Sequence, residues 1–202
     1  GIASVGMTYV ILLGGIDLAT GSIISFVNIV CAYFMVNMGM NVVLAVLLSL
    51  IISTFIGFLN GIIIAELRMP ALIVTFASQT IFAGYAYIIC GGVPISRMPE
   101  SFLKLGQGYV GPIPVPVIVM VVIFAIGTFI LNKTYFGRYF YALGGNEEAA
   151  LLSGIKIKVV KCLVYSLSGL FAGIAGLVML ARANTAQPNA GVGYEFDVIT
   201  CV

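Results

Sequence analysis

The sequence contains no histidine and few charged residues, and both absences narrow the classes of protein that it can encode. Without histidine, the commonest general base and metal ligand is missing, so serine–histidine and cysteine–histidine catalysis are excluded within these 202 residues. Charged residues make up 8% of the chain and hydrophobic residues 61%, against about 25% and about 45–50% in ordinary soluble domains. No soluble fold of this size could hide so much apolar surface.

Three further kinds of site have no signature in the sequence. The net charge is only +2 and no basic cluster is interleaved with aromatic residues, so no nucleic-acid surface is expected. The four cysteines are far apart and none belongs to a Cys-x-x-Cys pair, which favours small packing residues over a zinc site or a redox motif. No Gly-x-x-x-x-Gly-Lys-Ser/Thr phosphate loop is present, so the chain is not expected to hydrolyse ATP or to bind a cofactor of its own.

What the sequence does contain is a series of apolar runs, which give it a mean hydropathy of +1.19. A membrane-spanning helix needs about 20 mainly apolar residues. Five runs qualify as spans: 22–38, 42–65, 71–90, 115–131 and 159–181. A sixth run, 1–16, is shorter and leads into a polar, glycine-rich interruption, which predicts a span, a half-helix or a re-entrant piece.

These runs predict an all-α fold, a polytopic transmembrane helix bundle surrounded by lipid. The bundle is expected to form one domain over residues 1–202, with five or six membrane segments, some of them broken or re-entrant. Apolar runs are interrupted at both ends of the sequence, so we expect further helices on either side and an incomplete bundle.

Lysine and arginine set the expected orientation, because they are retained on the cytoplasmic side of a membrane. With the loop 132–158 placed inside, the inner side carries more of them than the outer side. The inner set is Arg68, Lys133, Arg138, Lys156, Lys158 and Lys161, and the outer set is Arg97, Lys104 and Arg182. The proline-rich segment 91–114 is then predicted to be an extracytoplasmic loop of irregular or extended backbone.

Small and polar residues recur inside the predicted spans. Transmembrane helices pack closely where small residues face each other. We interpret two sets as packing seams: Ser49, Ser53, Gly57, Gly61 and Ala65 in one span, and Ser168, Gly169, Ala172, Gly173 and Gly176 in another. Five polar residues are interpreted as hydrogen-bonding a neighbouring helix, the alternative being contact with a polar solute: Asn28, Asn60, Thr75, Ser78 and Gln79.

The loop 132–158 is the longest on the inner side, and its sequence predicts a short helix. Asn146 is a good N-cap, Glu147 and Glu148 lie in the first turn where the helix dipole favours anions, and Gly154 suits the position after the helix end. A helix of about two turns does not persist alone in water, so it must be held against a surface. Both ends of the loop are tethered to spans, so a push on the helix would tilt two spans together. A helix lying on lipid headgroups is the alternative.

Asp17 is a second candidate for a functional residue. A lone carboxylate at membrane depth costs free energy, and such residues often mark a translocation path. The glycines around it would allow a broken helix whose N-terminal amides lie beside a cavity, with Asp17 or Thr20 as the cap. A cap at an ordinary membrane boundary is the alternative, and both interpretations stay open. The candidate residues of the path are Asp17, Thr20, Ser22 and Asn60.

Three motifs resemble those of one family of transport proteins. They are Gly15–Ile16–Asp17–Leu18–Ala19–Thr20–Gly21–Ser22, then Gly137–Arg138–x–x–Tyr141–Ala142–x–Gly144–Gly145–Asn146–Glu147–x–Ala149–Ala150–x–x–Ser153–Gly154–Ile155, then Ala186–Gln187–Pro188–x–Ala190–Gly191–x–Gly193–Tyr194–Glu195–x–Asp197. They resemble three segments of the permeases that serve bacterial ABC importers for ribose, xylose, galactose and related sugars. The first motif is similar to the family's Gly-Ile-Asp-Leu-Ser-x-Gly-Ser signature, the second to its cytoplasmic coupling loop, and the third to its late loop. Ala19 replaces the usual serine, and the resemblance covers essentially the whole chain.

The resemblance implies a transport subunit without a catalytic site, in the cytoplasmic (inner) membrane of a bacterium. It implies a pairing with a second permease copy or paralogue, a cytoplasmic ATP-binding subunit that uses the ATP, and an extracytoplasmic binding protein that delivers a monosaccharide. The residues expected to couple to the ATPase are Gly145, Asn146, Glu147, Glu148, Ala149, Ala150, Ser153 and Gly154. The cargo stays open among ribose, xylose, galactose, inositol and a sugar-derived signalling molecule.

Two other classes of function fit a polytopic membrane protein. A secondary transporter driven by a proton or sodium gradient needs ionisable groups within the membrane, and only Asp17 is a candidate. A membrane enzyme needs a paired-carboxylate, serine–base or metal constellation at membrane depth, and none is visible in the sequence. The permease interpretation is therefore preferred, with an ion-gradient-driven transporter of a small polar solute as its alternative.

Overall fold

The apolar runs form long helices, because a backbone in lipid must satisfy its hydrogen bonds internally. The computed structural model describes residues 1–202. Its helices are α1 (Ile2–Leu12), α2 (Ala19–Ala32), α3 (Val42–Glu66), α4 (Ala71–Cys90), α5 (Glu100–Gln107), α6 (Val115–Lys133), α7 (Tyr135–Gly145), α8 (Glu147–Leu152), α9 (Ile157–Ala183) and α10 (Tyr194–Thr200), with a π-helical turn, Tyr33–Asn37, extending α2. Two antiparallel pairs of very short strands join β1 (Ile95–Ser96) to β4 (Thr185–Ala186), and β2 (Tyr109–Val110) to β3 (Ile113–Pro114).

Five helices are long and apolar enough to cross a membrane. They are Ala19–Asn37, Val42–Glu66, Ala71–Cys90, Val115–Lys133 and Ile157–Ala183. The predicted spans agree with them closely, and the largest difference at any end is at the start of α2, where the sequence predicts 22 and the helix begins at Ala19. The prediction of an all-α polytopic bundle is confirmed.

Helices α2 and α9 form the centre of the bundle, and the other long helices surround them. In the most apolar stretch of α2, 83% of the residues are buried, compared with 11% in α6. The outer helices turn large apolar side chains outward, among them Phe55, Ile88 and Phe129. Such a surface is compatible with lipid chains, which are as apolar as leucine side chains.

The tightest contact in the bundle is the seam between α3 and α9. Gly57 faces the backbone of Tyr165, Gly61 faces the backbone of Cys162, and Gly169 faces the carbonyl oxygen of Ser53. A β-carbon at any of these glycines would overlap the facing helix, so the two backbones approach as closely as they do only because no side chain intervenes. The prediction that the two small-residue stripes are packing seams is confirmed, and the stripes pack against each other.

Positive residues lie at both ends of the bundle, and which end faces the cytoplasm stays a prediction. Lys158 and Lys161 are in the first turns of α9, where Lys158 forms an ion pair of 2.5 Å with Glu66 at the end of α3. Arg182 is in the last turn of α9, and its backbone packs against Gly106 of α5. The end that carries α8 and the start of α9 is the predicted cytoplasmic end.

The prediction that the backbone of segment 91–114 is irregular or extended is right for the three short strands and wrong for α5. It carries α5 and three of the short strands, because Pro99 and Glu100 suit a helix start and Phe102 and Gly106 of α5 are buried against the bundle. Strand β1 pairs with β4, so this segment is also tied to the chain that follows α9. The prolines stop a longer helix, but they do not prevent a short one from docking.

The run 1–16 contains α1, which ends at Leu12, and a break of six residues separates α1 from α2. Gly14 has a φ of +73°, a conformation that glycine adopts without steric cost and that turns the chain away from the helix axis. Gly15 packs beside the hydroxyl group of Tyr165 in α9. The polar, glycine-rich interruption in the sequence is therefore a real break within the bundle.

The α3–α9 seam makes a direct prediction about stability. We expect Gly57→Ala to lower the free energy of unfolding by about 1–3 kcal/mol, because the new β-carbon overlaps the Tyr165 carbonyl group. Gly84→Ala is the matched control, since Gly84 is also inside a spanning helix but no atom lies within 4 Å of its added β-carbon. Thermal unfolding of the full-length protein in detergent should separate the two variants, and equal melting temperatures would contradict the seam.

Candidate functional site

Helix α8 is stabilised by local contacts, as the sequence analysis predicts. The Oδ1 atom of Asn146 accepts a hydrogen bond of 3.0 Å from the backbone N–H of Ala149, which is the N-cap contact. Glu147 and Glu148 occupy the first turn, where the helix dipole stabilises their negative charges. Gly154 follows the end of the helix with a φ of +81°.

Helix α8 is held against the bundle by one buried side chain and one ion pair. Ala150 is 3% exposed and belongs to a cluster with Phe140 of α7 and Val164 of α9. The Nζ atom of Lys161 in α9 lies 2.8 Å from Oε1 of Glu147. These contacts provide the surface that so short a helix needs.

The sequence analysis missed α7, the helix that precedes α8 in the same loop. Three of its residues are buried, Gly137, Phe140 and Leu143, and they recur at every third position. That spacing is a helical signal, but the three glycines of the segment weaken it. Gly144 packs directly on the carbonyl group of Leu12, so α7 also supports the end of α1.

The outer face of α8 is exposed and partly apolar. The side chain of Leu152 is 89% exposed and that of Leu151 is 61% exposed. Only Ala150 of the predicted coupling set is buried, and the other seven residues of that set are also exposed: Gly145, Asn146, Glu147, Glu148, Ala149, Ser153 and Gly154. Neither leucine was in that set, although two adjacent leucines directly after Ala149 and Ala150 are visible in the sequence.

A cavity of about 1100 Å³ opens beside α8 at the same end of the bundle. Its mouth is lined by charged side chains, which include those of Arg68, Glu148 and Lys158. Its deeper wall is formed by Gly15 in the break and by Tyr165 of α9. The cavity therefore connects the predicted cytoplasmic surface with the broken segment between α1 and α2.

Asp17 lies inside the bundle, and both of its carboxylate oxygens are bonded. It is 1% exposed; Oδ1 accepts from the N–H of Ala19 at 3.0 Å, and Oδ2 accepts from the hydroxyl of Ser168 at 2.6 Å. Ser168 is the twelfth residue of α9, about 17 Å from the cytoplasmic end of that helix. The start of α2 is therefore at membrane depth, with Asp17 stabilising its first N–H groups.

The other residues of the predicted path are buried and lie apart from the cavity lining. The hydroxyl of Thr20 donates to the carbonyl of Asp17 at 3.2 Å, and that of Ser22 donates to the carbonyl of Ala19 at 2.9 Å. Asn60 of α3 is 4% exposed, and its side-chain N–H₂ group has no partner. The structure brings Asp17 and Thr20 together, and their role in a path stays a prediction.

The interpretation of the polar residues in the spans is right for two of the five. Thr75 of α4 contacts the break between α1 and α2, since its hydroxyl accepts from the N–H of Leu18 at 3.1 Å. Gln79 donates through Nε2 to Oε1 of Glu195 in α10 at 2.8 Å. Asn28, Asn60 and Ser78 are buried without the predicted hydrogen bonds to a neighbouring helix. Glu195 was not recognised as a buried residue because its partner is 116 positions away in the sequence.

These features define a polytopic membrane protein in which a short surface helix, a broken segment and a central helix are joined by direct contacts. The chain belongs to the family described as branched-chain amino acid transport system / permease component, whose family profile matches residues 1–202.

Several characterised relatives are similar over the whole chain. The ribose import permease protein RbsC of Bacillus subtilis (strain 168) is 44% identical over 204 residues, which cover 100% of this chain and 63% of that protein. RbsC of Haemophilus influenzae is 40% identical over 205 residues, with the same coverage of 100% and 63%. The L-arabinose transport system permease protein AraH of Escherichia coli (strain K12) is 36% identical over 203 residues, 100% of this chain and 62% of AraH. The chain thus spans less than two thirds of the length of these relatives, and no solved structure matches it.

The N-cap of α8 can be tested independently of any transport assay. We expect Asn146→Ala to destabilise α8 by about 1 kcal/mol, because the N–H of Ala149 loses its acceptor. Asn146→Asp is the matched control, since aspartate keeps a side-chain oxygen at the cap. Hydrogen exchange in residues 147–152 of the full-length protein should become faster in the first variant only, and unchanged exchange in both would contradict the role of the cap.

Proposed function

We propose that this chain is part of the membrane-spanning permease subunit of a bacterial ABC importer that moves a monosaccharide such as ribose across the inner membrane. The observation that carries the proposal is the similarity over the whole chain to proteins named as ribose import permeases. The five apolar helices and the family membership support it. The chain acts as a transport component, and the partner ATPase supplies the energy by hydrolysing ATP.

The ATPase subunit docks on α8 in this proposal. Three observations support that choice: α8 lies at the end of the bundle rich in positive residues, its outer face is exposed, and it is fixed to the spans. Ala150 packs against α9, and Glu147 pairs with Lys161 of the same helix. A force applied to α8 would therefore move the start of α9, and α9 extends to Ser168 and its bond with Asp17.

An extracytoplasmic sugar-binding protein and a second permease copy or paralogue complete the proposed assembly. The binding protein would dock at the opposite end of the bundle, where α5 and the paired strands β1 and β4 form a folded surface. The translocation path is proposed to include Asp17, Thr20, Ser22 and Asn60, since Asp17 is buried within the bundle two residues after Gly15, which lines the cavity.

Co-purification tests the docking of the ATPase subunit. We expect the combined change of Asn146, Glu147 and Glu148 to alanine to reduce recovery of the ATPase with the full-length permease by about tenfold or more, because it removes the cap and the exposed charges of α8. The measurement is affinity purification in detergent of wild type and variant, with the amount of bound ATPase quantified.

Lys161→Ala is the control, because Glu147 also forms an ion pair with Lys161 of α9. It breaks the ion pair with Glu147 but leaves the surface of α8 intact, and such a partly exposed pair contributes about 0–1 kcal/mol. We expect this variant to keep the ATPase. Equal binding by the triple variant and wild type would refute docking at α8, and no complex even in wild type would favour a transporter driven by an ion gradient.

Replacement of Asp17 by asparagine tests the proposed path. We expect Asp17→Asn to lower sugar uptake about tenfold, the factor that corresponds to the loss of about 1.4 kcal/mol, while the ATPase stays bound. The reason is that the asparagine amide has only one oxygen that accepts hydrogen bonds in place of two. Either the hydroxyl of Ser168 or the N–H of Ala19 therefore loses its acceptor. Uptake in proteoliposomes is the measurement, and undiminished uptake would leave Asp17 as a helix cap only.

A further inference from the structure

The hydrogen bond between Gln79 and Glu195 lies at the middle of a spanning helix. Gln79 is the ninth of the 20 residues of α4, about 12 Å from the start of that helix. Glu195 is 3% exposed, and its Oε1 atom accepts from Nε2 of Gln79 at 2.8 Å. A carboxylate that faces the protein interior at membrane depth costs free energy. A role in transport is therefore the first explanation for its presence.

The other carboxylate oxygen of Glu195 has no hydrogen-bond partner. This atom, Oε2, is buried against Gly21 in the first turn of α2. Ser78, next to Gln79 on α4, also has a buried hydroxyl group without a partner. Nearly all buried polar groups in proteins have partners, so the unpaired Oε2 atom on a carboxylate that already holds one hydrogen bond indicates that a polar partner is missing.

The same face of α2 carries a third unpaired group. Gly21 and Ser25 contact Gly191, which precedes α10, and the N–H of Gly191 donates to the hydroxyl of Ser25 at 2.8 Å. Asn28 follows Gly21 by seven residues, so it lies on this face of α2, and both polar atoms of its amide are buried and unpaired. The unpaired groups therefore lie on α2, α4 and α10, the three helices around the bond between Gln79 and Glu195.

We propose that Glu195 and Gln79 form a contact site for the hydroxyl groups of a neutral, polyhydroxylated solute, which replaces their mutual hydrogen bond as it passes between α4 and α10. A hydroxyl group donates and accepts, so one solute can donate to the carboxylate and accept from the amide of Gln79. Helices α2, α4 and α10 contain no lysine or arginine, so an anionic solute would meet the carboxylate without a counter-charge. This inference rests on the proposed function and adds to it two residues that contact the solute.

Alanine variants of the full-length permease test the site, with the ATPase subunit and the binding protein reconstituted in proteoliposomes and radiolabelled ribose as the probe. We expect Glu195→Ala and Gln79→Ala each to reduce uptake about tenfold. Stimulation of ATP hydrolysis by the loaded binding protein should persist in both, because assembly and coupling do not depend on these side chains. Asp197→Ala is the matched control, since Asp197 is an exposed carboxylate two residues further along α10. It should keep wild-type uptake.

The conservative variant separates hydrogen bonding from packing. Glu195→Gln keeps the size of the side chain and groups that donate and accept, so it should retain more uptake than Glu195→Ala. Wild-type uptake in both alanine variants would overturn this inference alone. Loss of assembly and of ATP hydrolysis together with uptake would also overturn it, because the two residues would then be structural. A wild-type complex that takes up no sugar would overturn the proposed function, and this inference with it.

Discussion

The close approach of α3 and α9 is the constraint on which the other features of the structure depend. In lipid there is no hydrophobic gain from pressing two helices together, so association depends on van der Waals contact and on hydrogen bonds. Gly57, Gly61 and Gly169 allow that contact by leaving backbone against backbone. The seam fixes the position of α9, and α9 in turn carries Ser168, which binds Asp17, and Lys161, which binds Glu147.

One helix thus joins the surface and the interior of the bundle. The short surface helix α8 contacts the first turns of α9, and the break before α2 contacts α9 about 17 Å from the start of that helix. A helix of this length behaves as a stiff element, so α8 and the start of α2 are mechanically connected without any intervening loop. The mechanism proposed for the importer needs such a connection, because energy is released at the cytoplasmic surface and used at membrane depth.

Features set by local sequence could be predicted, and features set by distant contacts could not. Asn146 and Gly154 define α8 through hydrogen bonds and backbone angles within a few residues, so the cap and the end were both foreseen. The spans follow from apolar runs in the same way. The bond from Gln79 to Glu195 joins positions 116 residues apart, and nothing near either residue distinguishes it from an ordinary polar side chain. Helix α7 was missed because its signal is weak locally and its support comes from α1 and α9.

The two buried carboxylates differ in a way that assigns them different tasks. Asp17 uses both oxygens within the protein, one on the N–H of Ala19 and one on the hydroxyl of Ser168, so it has no acceptor left unpaired. Glu195 uses only Oε1, and its second oxygen is buried without a donor. A group whose bonds are complete stabilises one arrangement, whereas a group with an unpaired acceptor gains when a donor arrives. Asp17 is therefore suited to holding the break in place along the proposed path, and Glu195 is suited to binding and releasing a hydroxyl group that moves past it.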